Sequence, residues 1–258
     1  MNDAEKNKYS IGAVENAFYV LELVTQKQGN ISAVDIHTRT GIPKPTLHKL
    51  LQTLKGLGYI DQDPDTNQYY PTLKPLQLGY HCLNRRQFLS TYYPYALMYL
   101  RRYQCPVSLT AYSGLDPVTI YSAIGGNNIV VDENCVIGKT VSLYASATGR
   151  LLLATKTDSE VRDILSSIPL TPYTSKTPYE IDAIISSLTR IREEGFCRLD
   201  GEMYLGFSVF AFPLFDLAGA TIGSLELVFQ ESEAGRIMTD EALAEVMRTL
   251  DRVRLACS

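Results

Sequence analysis

The sequence predicts an α+β chain in two parts, an N-terminal winged helix-turn-helix and a larger C-terminal domain of mixed strands and helices. Three observations support this. Three helical patterns and a short hairpin follow one another within about 60 residues. From Val107 the apolar period drops towards two, the spacing of strands. Capping signals and apolar stripes then mark further helices among those strands, the mark of an α+β domain.

The first helix is expected over Ile11–Gln26, where Val14, Ala17, Phe18, Leu21 and Val24 recur at three- and four-residue steps. Gly29 is a plausible stop. Ser32 has the chemistry of an N-cap, with Asp35 three residues on, and a short helix runs from there to about Arg39. Gly41 permits a tight turn. A third helix covers Lys44–Leu57, with Pro43 and Pro45 in or before its first turn, where a missing N–H costs little. Leu47, Leu50, Leu51, Leu54 and Leu57 form its apolar stripe, and His48, Lys49, Gln52 and Lys55 point the other way. A strand at Gly58–Ile60, turn chemistry at Asp63-Pro64-Asp65 and a return strand at Tyr69-Tyr70 complete the wing.

A connecting helix is expected over Gln87–Tyr103, interrupted early by Pro94 and ending at Arg101-Arg102; its apolar residues exceed what one face needs, as when a helix also packs on a partner subunit. Val107–Tyr112 and Val118–Ala123 read as strands joined by the turn Ser113–Pro117. Thr157 with Glu160, and Thr177-Pro178 with Glu180, signal two helix starts. In the second helix Ile181, Ile184, Ile185, Leu188 and Ile191 make the buried stripe. Phe207–Pro213 and Ala220–Phe229 form a hairpin, and Asp240–Leu255 a last amphipathic helix. The expected division is a tail (1–10), a winged helix-turn-helix (11–73), linker helices (74–103) and a C-terminal domain (104–258).

Bulk properties set limits. The 258 residues are 45% hydrophobic and 20% charged with a formal charge of −4, a globular composition that does not announce a nucleic-acid binder. The distribution is more telling: over Met1–Leu73 seven basic residues meet eight acidic ones, but within Ile31–Gly58 four basic residues meet only Asp35. The longest uncharged stretch, Pro117–Val131, is broken by Pro117, Gly125, Gly126, Asn127 and Asn128, so no membrane helix is expected there. With no apolar leader in Met1–Tyr9, the expected compartment is the cytoplasm. Cys82, Cys105, Cys135, Cys197 and Cys257 are odd in number and irregular in spacing, which suits reduced thiols and gives no metal site.

The run from Ala33 to Leu54 (AVDIHTRTGIPKPTLHKLLQTL), with Gly58-Tyr59-Ile60 and Leu78-Gly79 after it, resembles the helix-turn-helix of the IclR family of bacterial regulators. Thr140–Ala154 (TVSLYASATGRLLLA), Ile191–Phe196 (IREEGF), Gly206 and the strand Ala220–Phe229 resemble the same family's effector-domain signature. The resemblance covers about Ile11–Ala256. It implies a GAF-like effector-binding domain, a linker that helps form a homodimer or homotetramer, double-stranded DNA with a palindromic operator as partner, and a small-molecule effector.

For DNA contacts, Lys44 and Lys49 are the candidates for phosphate or guanine, Thr46 for a thymine methyl or phosphate, His48 and Gln52 for base edges, and Arg39 for the backbone. Pro45 stands where family members often carry a hydroxyl, and Asp61, Asp63 and Asp65 occupy a wing that is often basic. A shallow salt dependence follows. For the effector, Ser146–Gly149 precedes an apolar helix, so backbone N–H groups at a helix start offer a seat for a polar group, although a plain N-cap explains the same residues equally well. The resemblance implicates Ala147 and Thr148, and it adds Val141, Phe207, Val209, Glu226 and Val228 as pocket positions, with Asp200 near a pocket acid. Glu226 and Val228 replace common serines, and Tyr144 and Arg150 replace His or Lys. A buried Glu226 repels a carboxylate unless it is paired, with Arg150 or another internal group. The expected effector is therefore not a simple dianionic acid, which leaves a polyol, an amide, a cation or an aromatic.

No catalytic residue, cofactor or metal is expected. The sequence has no G-x-S-x-G, H-E-x-x-H, G-x-G-x-x-G or P-loop, and His37, His48 and His81 all precede the C-terminal half. Two alternatives remain: a ligand-binding module without DNA affinity, motivated by the acidic wing, and a thiol enzyme using Cys135 or Cys197.

Overall fold

The computed structural model describes residues 10–85, 88–125, 137–216 and 218–256, and the backbone divides between Arg85 and Arg86 into two units. The first holds α1 (Gly12–Gln26), α2 (Ala33–Thr40), α3 (Lys44–Gly56), β1 (Ile60–Gln62), β2 (Tyr69–Pro71) and α4 (Lys74–Arg85). Ser32 caps α2 as expected, its hydroxyl accepting the Asp35 N–H at 3.1 Å. Gly41 closes α2 with φ 68°, a left-handed conformation that glycine adopts without a Cβ penalty, and its N–H reaches His37 O. The His37 ring spans the same turn, Nδ1 lying 2.7 Å from Ile42 O. Leu47, Leu51 and Leu54 of α3 are buried against Val20, Val24, Ile31, Ile36 and Ile60. Each such side chain contributes about 1.5–3 kcal/mol by leaving water.

Three expectations for this unit are corrected. Val14 and Phe18 are exposed, and Val20 and Val24 are the buried residues by which α1 joins the core. Leu57 ends α3 as its exposed C-cap. The first wing strand begins at Ile60, because Gly58 turns the chain at φ 78° and Tyr59 N–H still bonds back to Leu54 O. Ile31 adds a contact not expected from the sequence, exchanging two backbone hydrogen bonds with Tyr69 of β2.

The second unit contains α5 (Phe88–Tyr103), β3 (Val107–Ser113), β4 (Asp116–Ala123), α6 (Ala147–Ala154), α7 (Asp158–Ser166), α8 (Ile181–Glu194), β5 (Cys197–Asp200), β6 (Phe207–Phe215), β7 (Thr221–Gln230), α9 (Glu231–Ile237) and α10 (Asp240–Ala256). Its strands form one antiparallel sheet in the order β4-β3-β7-β6-β5. Alternation sorts the side chains. Phe210, Phe212, Leu225, Leu227 and Phe229 face α5 and α10, with Tyr103 edge-on to Phe229 and Arg102 paired with Glu245. Val209, Ala211 and Val228 face α6 and α8, whose buried residues include Leu153, Ile184, Leu188 and Ile191. Gly223 lies so close to β3 and α5 that a Cβ there would meet Thr110 O at 2.2 Å and the Phe88 ring at 2.7 Å.

Here too the structure departs from the sequence. Helix α5 runs unbroken through Pro94. The Tyr92 hydroxyl donates to Phe215 O and accepts from Phe215 N–H, and Tyr92 and Tyr99 are buried; this packing outweighs the roughly 3 kcal/mol cost of an interior proline. The β3–β4 turn is only Gly114-Leu115, so Asp116 and Pro117 join the strand. Thr157 and Glu160 form the expected capping box, but Thr177 caps no helix. It instead accepts from Tyr173 N–H and Thr174 N–H and donates to Glu202 O, and α8 begins at Ile181 behind an uncapped Glu180. Strand β5 and helix α9 were not foreseen.

Candidate DNA-reading and ligand sites

Arg39 on α2 and Lys44, Thr46, His48, Lys49 and Gln52 on α3 are all exposed, while the leucines of α3 turn inward. Lys55, farther along α3, is drawn to the wing and pairs with Asp61 at 3.2 Å. Asp61 also accepts the Gln62 N–H, and these two contacts hold its carboxyl below the ordinary aspartate value, the backbone bond contributing most. Asp63 takes the N–H groups of Thr66 and Asp65 at 2.8 and 2.9 Å, and its carboxyl is lowered likewise. Two of the three wing carboxylates therefore shape the hairpin itself.

In the second unit a cavity of about 280 Å3, open solvent included, lies between the start of α6 and the sheet. Ser146 and Ala147 line it from the helix start, Leu199 from β5, Phe207 and Val209 from β6, and Glu226 from β7. Glu202, Met203 and Tyr204, on the connection from β5 to β6, complete the wall. The closeness of helix and preceding turn requires Gly149, where a Cβ would meet Ser142 O at 2.3 Å and Leu143 O at 2.4 Å. Ser146 caps α6 by accepting the Gly149 N–H at 2.9 Å, so one donor of the helix start is already satisfied.

Behind the wall lies a polar network. The Thr148 hydroxyl is 2.9 Å from both Ser224 Oγ and Glu226 Oε2, and the Tyr112 hydroxyl donates to Thr148 O at 3.0 Å; burial pushes the Tyr112 phenol up. Arg150 is wholly buried. It donates to Tyr144 O from Nε, to Ser187 Oγ from Nη1 and to the Glu202 carboxylate from Nη2, the last at 2.6 Å. Arg150 is thus paired with Glu202, while Glu226 takes another internal group, the Thr148 hydroxyl. Burial raises the Glu202 carboxyl, and the charge of Arg150 pulls it back only in part.

Of the effector positions proposed from sequence, Ala147, Phe207, Val209 and Glu226 line this cavity. Thr148 sits one layer behind, bonded to Glu226. Val228 packs on the core, Val141 bonds Pro117 O through its N–H, and Asp200 accepts from Ser208 and Arg198. Glu202, two residues after Asp200, is the acid in the wall. It is displaced from the strand by Gly201 at φ 73°, a turn that β periodicity does not reveal. Met203 and Tyr204 escaped notice for the same reason. Cys135 lies outside the described residues. Cys197 is fully buried and burial pushes its thiol up, so it is no ready nucleophile. Among the described residues no group of His, Cys, Asp and Glu is placed to hold a metal ion, and no helix is long and apolar enough to cross a membrane.

Three helices, the third basic and outward, with a wing after them, followed by an antiparallel-sheet unit with its own cavity, define a helix-turn-helix protein with a separate ligand-sensing half. Residues 13–64 match the IclR helix-turn-helix domain, and residues 103–254 match the C-terminal domain of the bacterial transcriptional regulator IclR. The chain belongs to the IclR family of transcriptional regulators. Among curated relatives, the HTH-type transcriptional regulator KdgR of Escherichia coli is 28% identical over 231 residues, covering 88% of this chain and 85% of its own length. XynR of the same organism is 27% identical over 248 residues, 96% of each chain. The crystal structure of an IclR-family regulator from Brucella abortus shares the fold with a TM-score of 0.78 at 22% identity, covering 100% of this chain and 96% of that one. An IclR homologue from Microbacterium hydrocarbonoxydans, solved in complex with 4-hydroxybenzoate, gives 0.77 at 18% identity, with 95% and 99% covered.

Proposed function

We propose that the chain acts in the cytoplasm as a homodimer or homotetramer that places α3 of two subunits in successive major grooves of a palindromic operator, and that a small molecule in the second unit alters its operator affinity. One observation carries this reading: the six proposed contact residues, Arg39 on α2 and the other five on α3, all face solvent while Leu47, Leu51 and Leu54 of α3 are buried, which leaves a polar, basic edge free to enter a groove. Lys44 and Lys49 supply phosphate or guanine contacts, Thr46, His48 and Gln52 read base edges, and Arg39 steadies the backbone. Residues 74–103 connect the reading and sensing domains, and the cavity at the start of α6 is the effector site. The complex with 4-hydroxybenzoate of a protein of the same fold supports a ligand-responsive role. Effector and operator then change each other's affinity by one common factor.

No catalytic step belongs to this function. Anisotropy titration of the purified protein on duplex DNA from its own upstream region, with an unrelated duplex as control, tests it. Tighter binding to the upstream duplex is expected. Equal affinity for both at low salt sinks the regulator reading and favours the module without DNA affinity, to which the exposed Asp65 of the wing points.

A further inference from the structure

Packing holds α3 only as far as Leu54. Leu47, Leu51 and Leu54 are buried, but Leu57 is 53% exposed, so the core does not grip the end of the helix. The chain turns there at Gly58: its N–H reaches Lys55 O, and Tyr59 N–H reaches Leu54 O, both at 2.9 Å. The next two carbonyls, of Leu57 and Gly58, are taken by residues from beyond the wing. The Lys74 ammonium donates to Leu57 O at 2.5 Å and lies 4.9 Å from the centre of the Tyr59 ring. The Thr72 hydroxyl donates to Gly58 O at 2.5 Å, and Thr72 N–H reaches Tyr59 O at 3.0 Å. Lys74 N–H returns to the Thr72 hydroxyl at 3.1 Å, and Lys74 is the first residue of α4. A cation placed here meets the negative end of the α3 dipole, and a charge-assisted bond is stronger than a neutral one. The Lys55–Asp61 pair at the same end is exposed to water, where such a pair holds little.

We propose that Lys74 is a positioning residue for operator reading: by tying the C-terminal end of α3 to the start of α4, it sets how α3 lies in the groove. The proposal rests on reading α3 as the recognition helix and adds a determinant that does not itself touch DNA. Base edges are read by directional hydrogen bonds, whereas contacts to phosphate are common to every sequence. Loss of the tie therefore falls on Gln52, the base reader nearest that end, and on discrimination rather than on general affinity.

Lys74→Met, which keeps an apolar stem and removes the donor, tests this beside Lys74→Arg, whose guanidinium supplies a donor again. Anisotropy titrations of the full chain use the duplex from its own upstream region and an unrelated duplex, over a salt series. Lys74→Met is expected to bind the upstream duplex at least fivefold more weakly, with its affinity for the unrelated duplex and its salt slope unchanged. Lys74→Arg should recover most of the loss. A slope lowered by about 1 means that Lys74 contacts a phosphate, which overturns the proposal. An equal loss on both duplexes, the result of a purely structural contact, overturns it too. If Lys74→Met does not fold, Lys74→Gln, whose amide is one atom shorter in reach, takes its place under the same criteria. A wild type that binds both duplexes alike removes the regulator reading and this proposal together; a preference that survives the substitution removes the proposal alone.

Discussion

Arg150, with none of its surface exposed, donates from Nη2 to the Glu202 carboxylate at 2.6 Å, so a buried cation on α6 holds a residue of the cavity wall in place. Removing the cation leaves Tyr144 O, Ser187 Oγ and Glu202 without it. Arg150→Ala is expected to cost about 3 kcal/mol, a fall in Tm of roughly 10 °C by calorimetry. A shift below 2 °C, on the order of a surface substitution, would show that the pair is held open to water.

The same pair has a pH signature. Burial raises the Glu202 carboxyl above its ordinary value of 4.5, so the folded chain keeps this proton to higher pH than the unfolded chain does. Stability from this group is therefore present below 4.5 and declines as pH rises through the window just above it. Glu202→Gln cannot titrate, so the Tm of the wild type relative to this variant should drop across that window. A relative Tm that climbs instead means the ion pair outweighs burial.

Lys49 is exposed on α3. If it contacts a phosphate, Lys49→Ala weakens binding to all duplexes alike and lowers the slope of log affinity against log salt by about 1. If it contacts guanine, the loss is confined to the operator. An unchanged affinity removes Lys49 from the interface.

Gly149 is a geometric requirement. A Cβ there would strike two carbonyl oxygens at 2.3 and 2.4 Å, and backbone cannot step aside as a side-chain tip does. Gly149→Ala is expected to destabilise the second unit by about 2–3 kcal/mol. Hydrogen exchange should locate the loss in that unit, with α1 to α3 protected as in the wild type. Equal loss in both units would refute a local clash.

The thiols should separate by burial. Cys82 is exposed, whereas burial pushes Cys105 up to about 12 and Cys197 up as well. Maleimide labelling at pH 7 with peptide mapping should modify Cys82 and spare Cys105 and Cys197 until the chain unfolds. Rapid labelling of Cys197 in the native state would revive the thiol-enzyme alternative.

The reading head was legible because its information is local. Ser32, Gly41 and the leucines Leu47, Leu51 and Leu54 of α3 each act within a few residues, and the structure places them as expected. Local rules failed where packing decided. Periodicity alone gives α1 a longer apolar face than the fold buries, and Pro94 reads as an interruption, whereas the bond of Tyr92 on α5 to the backbone of Phe215 at the end of β6 helps hold the helix through it.

The linear chain thus determined most of the helices and strands and which face of α3 is polar, because helical and β periods are properties of neighbouring residues; that Phe207, Val209 and Glu226 share one face of the sheet follows from the pairing of β6 with β7. Only the tertiary structure decided that Arg150 pairs with Glu202 and that Glu202 rather than Asp200 enters the cavity wall. Those facts depend on residues 52 positions apart meeting across a left-handed turn at Gly201, and charge partners at such separation leave no periodic trace in sequence.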